Sequence, residues 1–242
     1  MPSTMLGEFI GTAVLILLGN GVVSGVLLRE SKANGAGWIV ITAGWAVAVL
    51  CGVIVATSLG APGELNPAGT IANVLMGARS VSDAVMHIVA QFAGAIVGAT
   101  LVWLHYFKHW GATSDADAIR SCFCNSPAIR NTGANLLSET IATFVLVFVA
   151  SAIGSKLVAG AAPATNLAPI LVGALVWGIG LSLGGPTGYA INPARDLGPR
   201  IAHALLPIAN KGGSDWGYSW IPVVGPVVGA SLAALLWMAV SA

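Results

Sequence analysis

The sequence predicts an all-α membrane protein with six transmembrane helices and two re-entrant half-helices arranged as an inverted repeat. Three observations support this prediction: the scarcity of charge, six long apolar segments, and a repeated Asn-Pro-Ala motif. Charged residues make up 8% of the 242 residues, and hydrophobic residues make up 56%. Soluble domains average about 25% charged residues, so a chain with so few charges is expected to be solvated by lipid.

Each apolar segment is long enough to cross a bilayer, which takes roughly 20 residues of helix. Apart from Glu8 and Glu139, the segments contain no Asp, Glu, Lys or Arg. Helices are expected because lipid offers no partners for free backbone groups, and the segments lack the alternation typical of a barrel strand. The predicted spans are residues 5–28, 38–58, 84–106, 136–155, 167–185 and 219–240.

The net charge and the cysteines point to no further partner. A net charge of +1 gives no reason to expect nucleic acid. The three cysteines, Cys51, Cys122 and Cys124, do not form a disulfide framework. No nearby His completes a metal set with the two loop cysteines, so we expect neither a metal nor a cofactor.

The two halves of the chain repeat each other. Glu8 opens the first span as Glu139 opens the fourth, and the Gly-rich stretch 94–99 of the third span recurs at 225–230 of the sixth. Because each half holds three spans, the second half must cross the membrane in the opposite direction. The prediction is a single transmembrane domain, residues 1–242, with repeats at about 5–107 and 136–240 joined by a long loop at 108–135.

Two short segments, Asn66-Pro67-Ala68 and Asn192-Pro193-Ala194, follow the second span of each half. Asn is a strong N-cap and Pro is favoured at the first helical position, so each segment predicts a helix start. Residues 67–76 give about 15 Å of helix, half the hydrocarbon thickness, and the second half-helix should end before Pro207. Tip to tip, their positive ends would meet at mid-membrane.

Each Asn carbonyl would cap its own half-helix, which leaves the side-chain NH₂ group pointing into a pore. Two such donors at a positive focus would orient a passing hydroxyl by its oxygen and would repel cations, hydronium included.

With these motifs in place, the chain resembles the aquaporin-type major intrinsic proteins from Glu8 to about Ala239. The resemblance implies the aquaporin fold and a homotetramer with one pore per subunit. The compact length of the chain leads us to expect a multi-pass protein in the cell membrane of a microbe. The resemblance also implies that Glu8 and Glu139 hydrogen-bond the re-entrant loops. Proton transfer by this pair of buried carboxylates is the alternative.

The resemblance maps a selectivity filter onto Trp45, Gly180, Tyr189 and Arg195. An ionised side chain in the membrane is costly and is a functional hypothesis by default. Two aromatic faces opposite an Arg suit a solute with carbons on one side and hydroxyls on the other. The alternatives are packing or an interfacial belt for the aromatic residues, and snorkelling or an ion pair with Asp196 for the Arg.

Four further residues, Asp196, Arg200, Pro222 and Val223, resemble the glycerol-facilitator subfamily. The expected function is a passive channel for small uncharged solutes, first of all glycerol, with water and similar polyols, that excludes ions and protons. Undissociated lactic acid, hydrogen peroxide, urea or water as the preferred solute is the alternative within this class. A coupled secondary transporter is the alternative outside it, and no nucleophile–base or metal pair indicates an enzyme.

Glu64 departs from the family pattern, because it stands two residues before the first motif, where the family usually has His. A carboxylate near the inner pore mouth would hold a hydrogen-bond network or tune the passage of a weak acid.

The distribution of basic residues is a second departure. The family places both termini in the cytoplasm, where Lys and Arg should gather, yet loops 77–83 and 155–166 carry only Arg79 and Lys156. We retain the family orientation. The opposite side carries Arg29, Lys32, Lys108, Arg120, Arg130 and Lys211.

Overall fold

The computed structural model describes residues 3–155 and 162–241, and its regular structure within these ranges is helical. Hydrophobic and small residues occupy all sides of the long helices, and polar residues such as Glu8 and Gln91 are buried, as expected for helices surrounded by protein and lipid. The helices are Ser3–Leu27 (α1), Trp38–Ser58 (α2), Pro67–Leu75 (α3), Val81–His105 (α4), His109–Ala112 (α5), Ala116–Ser121 (α6), Thr132–Ile153 (α7), Ala162–Leu183 (α8), Pro193–Leu205 (α9) and Ile221–Val240 (α10).

The prediction of six spans and two half-helices is confirmed. Helices α1, α2, α4, α7 and α10 are long and apolar enough to cross a bilayer, and α8 is apolar from Leu167 to Leu183. The half-helices are α3 and α9. Helix α7 starts at Thr132 rather than at 136 because Asn131 caps it, with its side chain accepting the Ala134 N–H at 3.0 Å.

The two halves of the chain pack crosswise. Helix α1 packs on α2 and α4, and α7 packs in the same way on α8 and α10. The half-helices exchange partners, since α3 lies against α10 and α9 lies against α4. Each half therefore supports the re-entrant segment of the other, which brings the N-termini of the two half-helices together.

Glycines of the third and sixth spans allow the closest helix contacts. A Cβ at Gly94 would collide with the Phe9 carbonyl of α1, and a Cβ at Gly229 would collide with the Thr140 carbonyl of α7. Such contacts bring helix backbones together in lipid. The pair Gly21/Gly25, which shares the same spacing, is different, because the space around Gly21 is open.

The sequence predicts a long loop over 108–135 between the two halves, but this connection is partly helical. It contains α5 and α6 and ends where α7 begins. Asp115 caps α6 by accepting two backbone N–H bonds at 2.9 and 3.1 Å. Trp110 and Phe123 are buried, with ring centroids 5.5 Å apart, so this segment packs onto the ends of the spanning helices.

Several basic residues of this face are neutralised locally. Arg130 pairs with Asp215 at 2.5 Å and Arg120 pairs with Asp117 at 2.9 Å. Lys156, of the opposite face, lies outside the described residues. Because the charge rule counts Lys and Arg and gives acidic residues little weight, these pairs do not remove the conflict between the basic residues and the family orientation.

We predict that Gly94→Val destabilises the protein by roughly 1–3 kcal/mol, the usual cost of overpacking. The added side chain must push α4 away from the Phe9 carbonyl of α1. The midpoint of thermal unfolding in detergent measures this change. Gly178→Val is the matched control, because the space beside Gly178 of α8 is open. Equal midpoints for the two variants would show that the α1–α4 contact tolerates separation.

Candidate functional site

Glu8 of α1 holds the first re-entrant loop. Its carboxylate is fully buried and accepts the backbone N–H groups of Glu64 at 2.9 Å and Leu65 at 2.8 Å. Gln91 of α4 donates a third bond to the carboxylate, at 2.8 Å. An unpaired buried N–H would cost about 1–3 kcal/mol, so this carboxylate fixes the loop that leads into α3.

Glu139 of α7 holds the second loop in the same way. Its two oxygens accept the backbone N–H groups of Ala190 and Ile191, both at 2.9 Å. These are the contacts that the family resemblance implies for the two carboxylates. Because both oxygens of each are engaged, the geometry favours loop support over proton transfer.

Each motif asparagine follows a sharp turn and starts a half-helix. The preceding residues, Leu65 and Ile191, have φ values of +50° and +47°, a left-handed conformation that is uncommon for such side chains. The Oδ1 atoms of Asn66 and Asn192 each accept a bond of 2.9 Å from the N–H group two residues further on. Pro67 and Pro193 occupy the first helical positions, where no N–H group is needed.

The two asparagines also join the loops to each other. Asn66 Nδ2 donates to the Ile191 carbonyl at 2.8 Å, and Asn192 Nδ2 donates to the Leu65 carbonyl at 2.7 Å. The expectation that the whole NH₂ group faces a pore therefore needs correction. One N–H of each amide satisfies a buried carbonyl that the left-handed turn leaves unpaired, and only the second N–H can serve a solute.

Arg195 stands one turn into α9 and faces Trp45 of α2. The centre of its guanidinium lies 4.2 Å from the centroid of the Trp45 ring, within cation–π range. Among the described residues, the guanidinium donates no hydrogen bond. Asp196, the alternative partner, is engaged elsewhere. The N–H groups of Arg195 are thus free to bind a solute.

Tyr189 lies in a recess on α8. A Cβ at Gly180 would lie 2.8 Å from Tyr189 Cζ, and a Cβ at Gly184 would lie 2.5 Å from Tyr189 Cδ1. Trp38 meets the ring edge-on at a centroid distance of 5.8 Å and donates to the Gly180 carbonyl at 3.0 Å. Gly180 and Gly184 have the four-residue spacing typical of close helix contacts, but here they accommodate an aromatic ring.

Two cavities meet at this point. The larger, of about 800 Å³, is lined by both motif asparagines and by Glu64, and we call it the inner cavity. The smaller, of about 260 Å³, is lined by Trp38, Asn125 and Cys124 among others, and we call it the outer vestibule. Both are lined by Trp45, Tyr189 and Arg195. These three side chains therefore separate the cavities, with Gly180 behind the Tyr189 ring.

Glu64 is the centre of a hydrogen-bond network at the inner cavity. Its carboxylate accepts bonds from Thr70 at 2.7 Å, from Asn73 at 2.8 Å and from the Arg79 guanidinium at 3.2 Å. His87 Nδ1 lies 3.4 Å from the second oxygen. The side chain is 5% exposed, so of its two predicted roles the contacts favour the network, and a role in solute passage stays a prediction.

Asp196 and Arg200 form a fully buried ion pair on α9, with contacts of 2.8 Å. Asp196 accepts the Asn125 N–H at 2.7 Å, and Arg200 donates to the carbonyls of Asn125 at 2.9 Å and Ser214 at 2.6 Å. A buried pair needs such further bonds to offset its desolvation. The pair attaches two outer loops to the half-helix.

Pro222 and Val223 lie in the first turn of α10, and Pro222 is buried there. Neither residue lines the inner cavity or the outer vestibule. Their value as indicators of a subfamily stays a prediction.

The loop cysteines are buried free thiols. Burial raises the pKa of Cys122 and of Cys124 to about 12, so both thiols stay protonated at neutral pH and bind metals poorly. Within residues 3–155 and 162–241, no group of three or more His, Cys, Asp or Glu is placed to hold a metal ion.

The sequence reasoning missed Lys211 and Asn125. Lys211 Nζ donates to the carbonyls of His203 at 2.7 Å and Leu206 at 2.6 Å, at the C-terminus of α9, where a cation is favourable. Asn125 Nδ2 donates to the Thr187 carbonyl at 3.0 Å and so supports the loop that carries Tyr189. A basic residue after a helix is a recognisable C-terminal signal, whereas no local pattern identifies Asn125.

Comparison with known proteins agrees with this geometry. The sequence model of the family described as Major intrinsic protein matches residues 2–237. Glycerol uptake facilitator protein 3 of Lactiplantibacillus plantarum is 54% identical over 96% of this chain and 95% of that protein. The D/L-lactic acid transporter of the same organism is 41% identical over 97% of this chain and 96% of that protein.

Among solved structures, the aquaglyceroporin from Plasmodium falciparum superposes with a TM-score of 0.85. The match has 27% sequence identity and covers 99% of this chain and 96% of that chain.

We predict that Glu64 and Arg79 are coupled in stability. Glu64→Gln removes the charge that holds Arg79, and Arg79→Gln leaves the buried carboxylate without its cation. Each single variant should lower the free energy of unfolding by roughly 1–3 kcal/mol. The double variant should lose less than the sum, as measured by chemical unfolding in detergent.

The same Glu64→Gln protein should leave glycerol flux into liposomes unchanged at every pH tested, if the network is structural. A change in the pH dependence of flux would instead assign the Glu64 carboxylate to solute passage.

Proposed function

The chain belongs to the major intrinsic protein family, and we propose that it is a passive membrane channel for small uncharged solutes, first of all glycerol. Water and similar polyols are expected to pass as well, while ions and protons are excluded. We propose that this chain is a multi-pass protein of the cell membrane of a microbe. Passage through such a pore needs no nucleophile and no coupling ion, so we propose neither an enzyme nor a coupled transporter.

The constriction between the two cavities carries this proposal. A cation with unused N–H groups, Arg195, shares the constriction with the ring faces of Trp45 and Tyr189. A polyol can present its hydroxyl oxygens to the guanidinium and its carbons to the rings. Gly180 has no side chain, so the Tyr189 ring can stand back against α8, which favours the passage of a molecule larger than water.

The half-helix junction supports the exclusion of ions and protons. Asn66 and Asn192 each retain one N–H beyond the bond across the loops, and both line the inner cavity. The positive ends of α3 and α9 converge at this point. A cation must pass this focus and Arg195 in succession and is repelled by both, whereas a hydroxyl oxygen can accept hydrogen bonds at both places.

We also propose a homotetramer in lipid, with one pore in each subunit. Large apolar side chains are exposed along the spanning helices, for example Ile39 of α2, Val85 of α4 and Leu235 of α10, which are 60%, 57% and 54% exposed. Lipid tails or neighbouring subunits can cover such surfaces, and the homotetramer itself is the arrangement that the family resemblance implies.

Undissociated lactic acid is the second candidate solute. The observation that favours it is the relative named as a lactic acid transporter, which covers nearly the whole chain. Neutral lactic acid carries a hydroxyl, a carboxyl group and a methyl group, and it fits the same division between donors and ring faces. Influx of the acid should rise as the external pH falls, because the fraction of neutral acid rises and only the neutral form avoids the cost of moving a charge into the membrane.

The proposal predicts rapid glycerol influx into liposomes that contain the purified protein. After an inward glycerol gradient is applied, stopped-flow light scattering should show shrinkage followed by fast swelling, absent with an impermeant osmolyte. Replacing Arg195 by Leu removes the donors and should slow swelling by roughly tenfold, or about 1.4 kcal/mol of barrier. Arg130→Gln is the matched control, since Arg130 lies on the surface.

Three other results would change the assignment. Fast water flux without glycerol influx would indicate a water channel. Glycerol influx that saturates and collapses with an uncoupler would indicate a coupled transporter. Absence of both fluxes, together with influx of lactic acid at low pH, would favour the second candidate.

A further inference from the structure

We propose that Gly19 of α1 is a positioning residue that sets the width of the constriction by receiving the indole of Trp45. Gly19 itself touches no solute and acts through the ring. This inference rests on the proposed function, because it concerns which solutes the constriction admits.

The indole of Trp45 lies directly against the Gly19 backbone. A Cβ built on residue 19 would collide with the ring atoms Cζ3 and Cε3 and would lie 2.5 Å from Cη2. Carbon atoms pack at about 3.5–4.0 Å. The contact is therefore made with three atoms of one rigid ring, and no rotation of a flexible side-chain end can relieve it.

The position of Gly19 on α1 explains why the ring is recessed. Leu15, Gly19 and Val23 are four residues apart and share one face of the helix. Leu15 lines the inner cavity and Val23 lines the outer vestibule, so this face points at the pore. Gly19 lines neither cavity, because the Trp45 ring occupies the space in front of it.

The opposite wall uses the same device. Tyr189 fits the recess formed by Gly180 and Gly184 of α8. Both aromatic rings therefore stand back from the pore axis into space that missing side chains leave. The side that carries Arg195 has no such freedom, since α9 is fixed by its buried ion pair. The width available to a solute follows from how far the two rings recede.

A methyl group at residue 19 must displace the indole away from α1, by roughly 1 Å if normal carbon contacts are restored. Since the ring separates Gly19 from the cavities, that displacement carries it toward the lumen and toward Arg195. A narrower constriction hinders a three-carbon polyol more than it hinders water. The effect expected is a change of selectivity and not a uniform loss of conduction.

The test compares glycerol and water permeability in the same liposomes for the wild-type chain and Gly19→Ala. We expect the ratio of glycerol to water permeability to fall by roughly tenfold, which corresponds to about 1.4 kcal/mol of added barrier. Two control variants separate this effect from general disturbance of the helices.

Gly21→Ala changes the same helix where the neighbouring space is open, and it should leave the ratio unchanged. Gly229→Ala introduces a clash at another helix interface, with the Thr140 carbonyl of α7 instead of Trp45. It should reduce stability and leave the ratio unchanged. Gly19→Ala combined with Trp45→Phe should have the same ratio as Trp45→Phe alone, because the smaller ring makes room for the methyl group.

A folded Gly19→Ala protein with the wild-type ratio would overturn the proposal. If Gly19→Ala alone does not fold, the double variant carries the test. A folded double variant with the ratio of Trp45→Phe alone supports the proposal, and a double variant that does not fold or has a lower ratio than Trp45→Phe alone overturns it. Absence of glycerol influx with the wild-type chain would instead overturn the proposed function, so the two failures are distinguishable.

Discussion

The structure depends on satisfying the backbone of two irregular loops in a region where lipid supplies no hydrogen bonds. A re-entrant segment must change direction inside the membrane, and every N–H and C=O at its turn then needs a partner from protein. Glu8 and Glu139 supply the acceptors for the N–H groups, and the amides of Asn66 and Asn192 supply the donors for the carbonyls. The left-handed turns at Leu65 and Ile191 persist because these partners fix them on both sides.

The same device serves both halves, but each side of the pore secures its half-helix differently. On the inner side, Glu64, which precedes α3, binds Arg79, which follows α3. On the outer side, Asp196 binds Arg200 within α9, and this pair holds two long loops. Both arrangements place a carboxylate within one turn of the half-helix start, where the helix dipole favours it. Because Arg79 and Arg200 are engaged in these ion pairs, Arg195 is the cation that faces the constriction with its N–H groups unused.

Patterns of short range predicted the fold well. The absence of charge over helix-length segments identified the spans, and the Asn-Pro order identified the half-helix starts, because both signals reside in consecutive residues. The filter residues came from family resemblance, since nothing local distinguishes Trp45 or Tyr189 from packing residues. The bonds between Asn66 and Ile191 or between Asn125 and Thr187 join distant parts of the chain, and no local pattern encodes them. The short helices α5 and α6 were missed because their polar composition resembles a loop.

The glycines show most clearly what the sequence alone does not predict, which is the group that occupies the space beside each of them. The same four-residue spacing occurs in Gly94/Gly98, in Gly180/Gly184 and in Gly21/Gly25, and the sequence offers one interpretation for all three. In the structure the first pair receives a helix backbone, the second receives an aromatic ring, and Gly21 of the third faces open space. What a missing side chain does depends on what occupies the gap. In this protein, the gap at Gly180 and Gly184 holds Tyr189, and a separate gap at Gly19 holds Trp45. The channel wall is therefore shaped as much by the residues behind the rings as by the residues that line the pore.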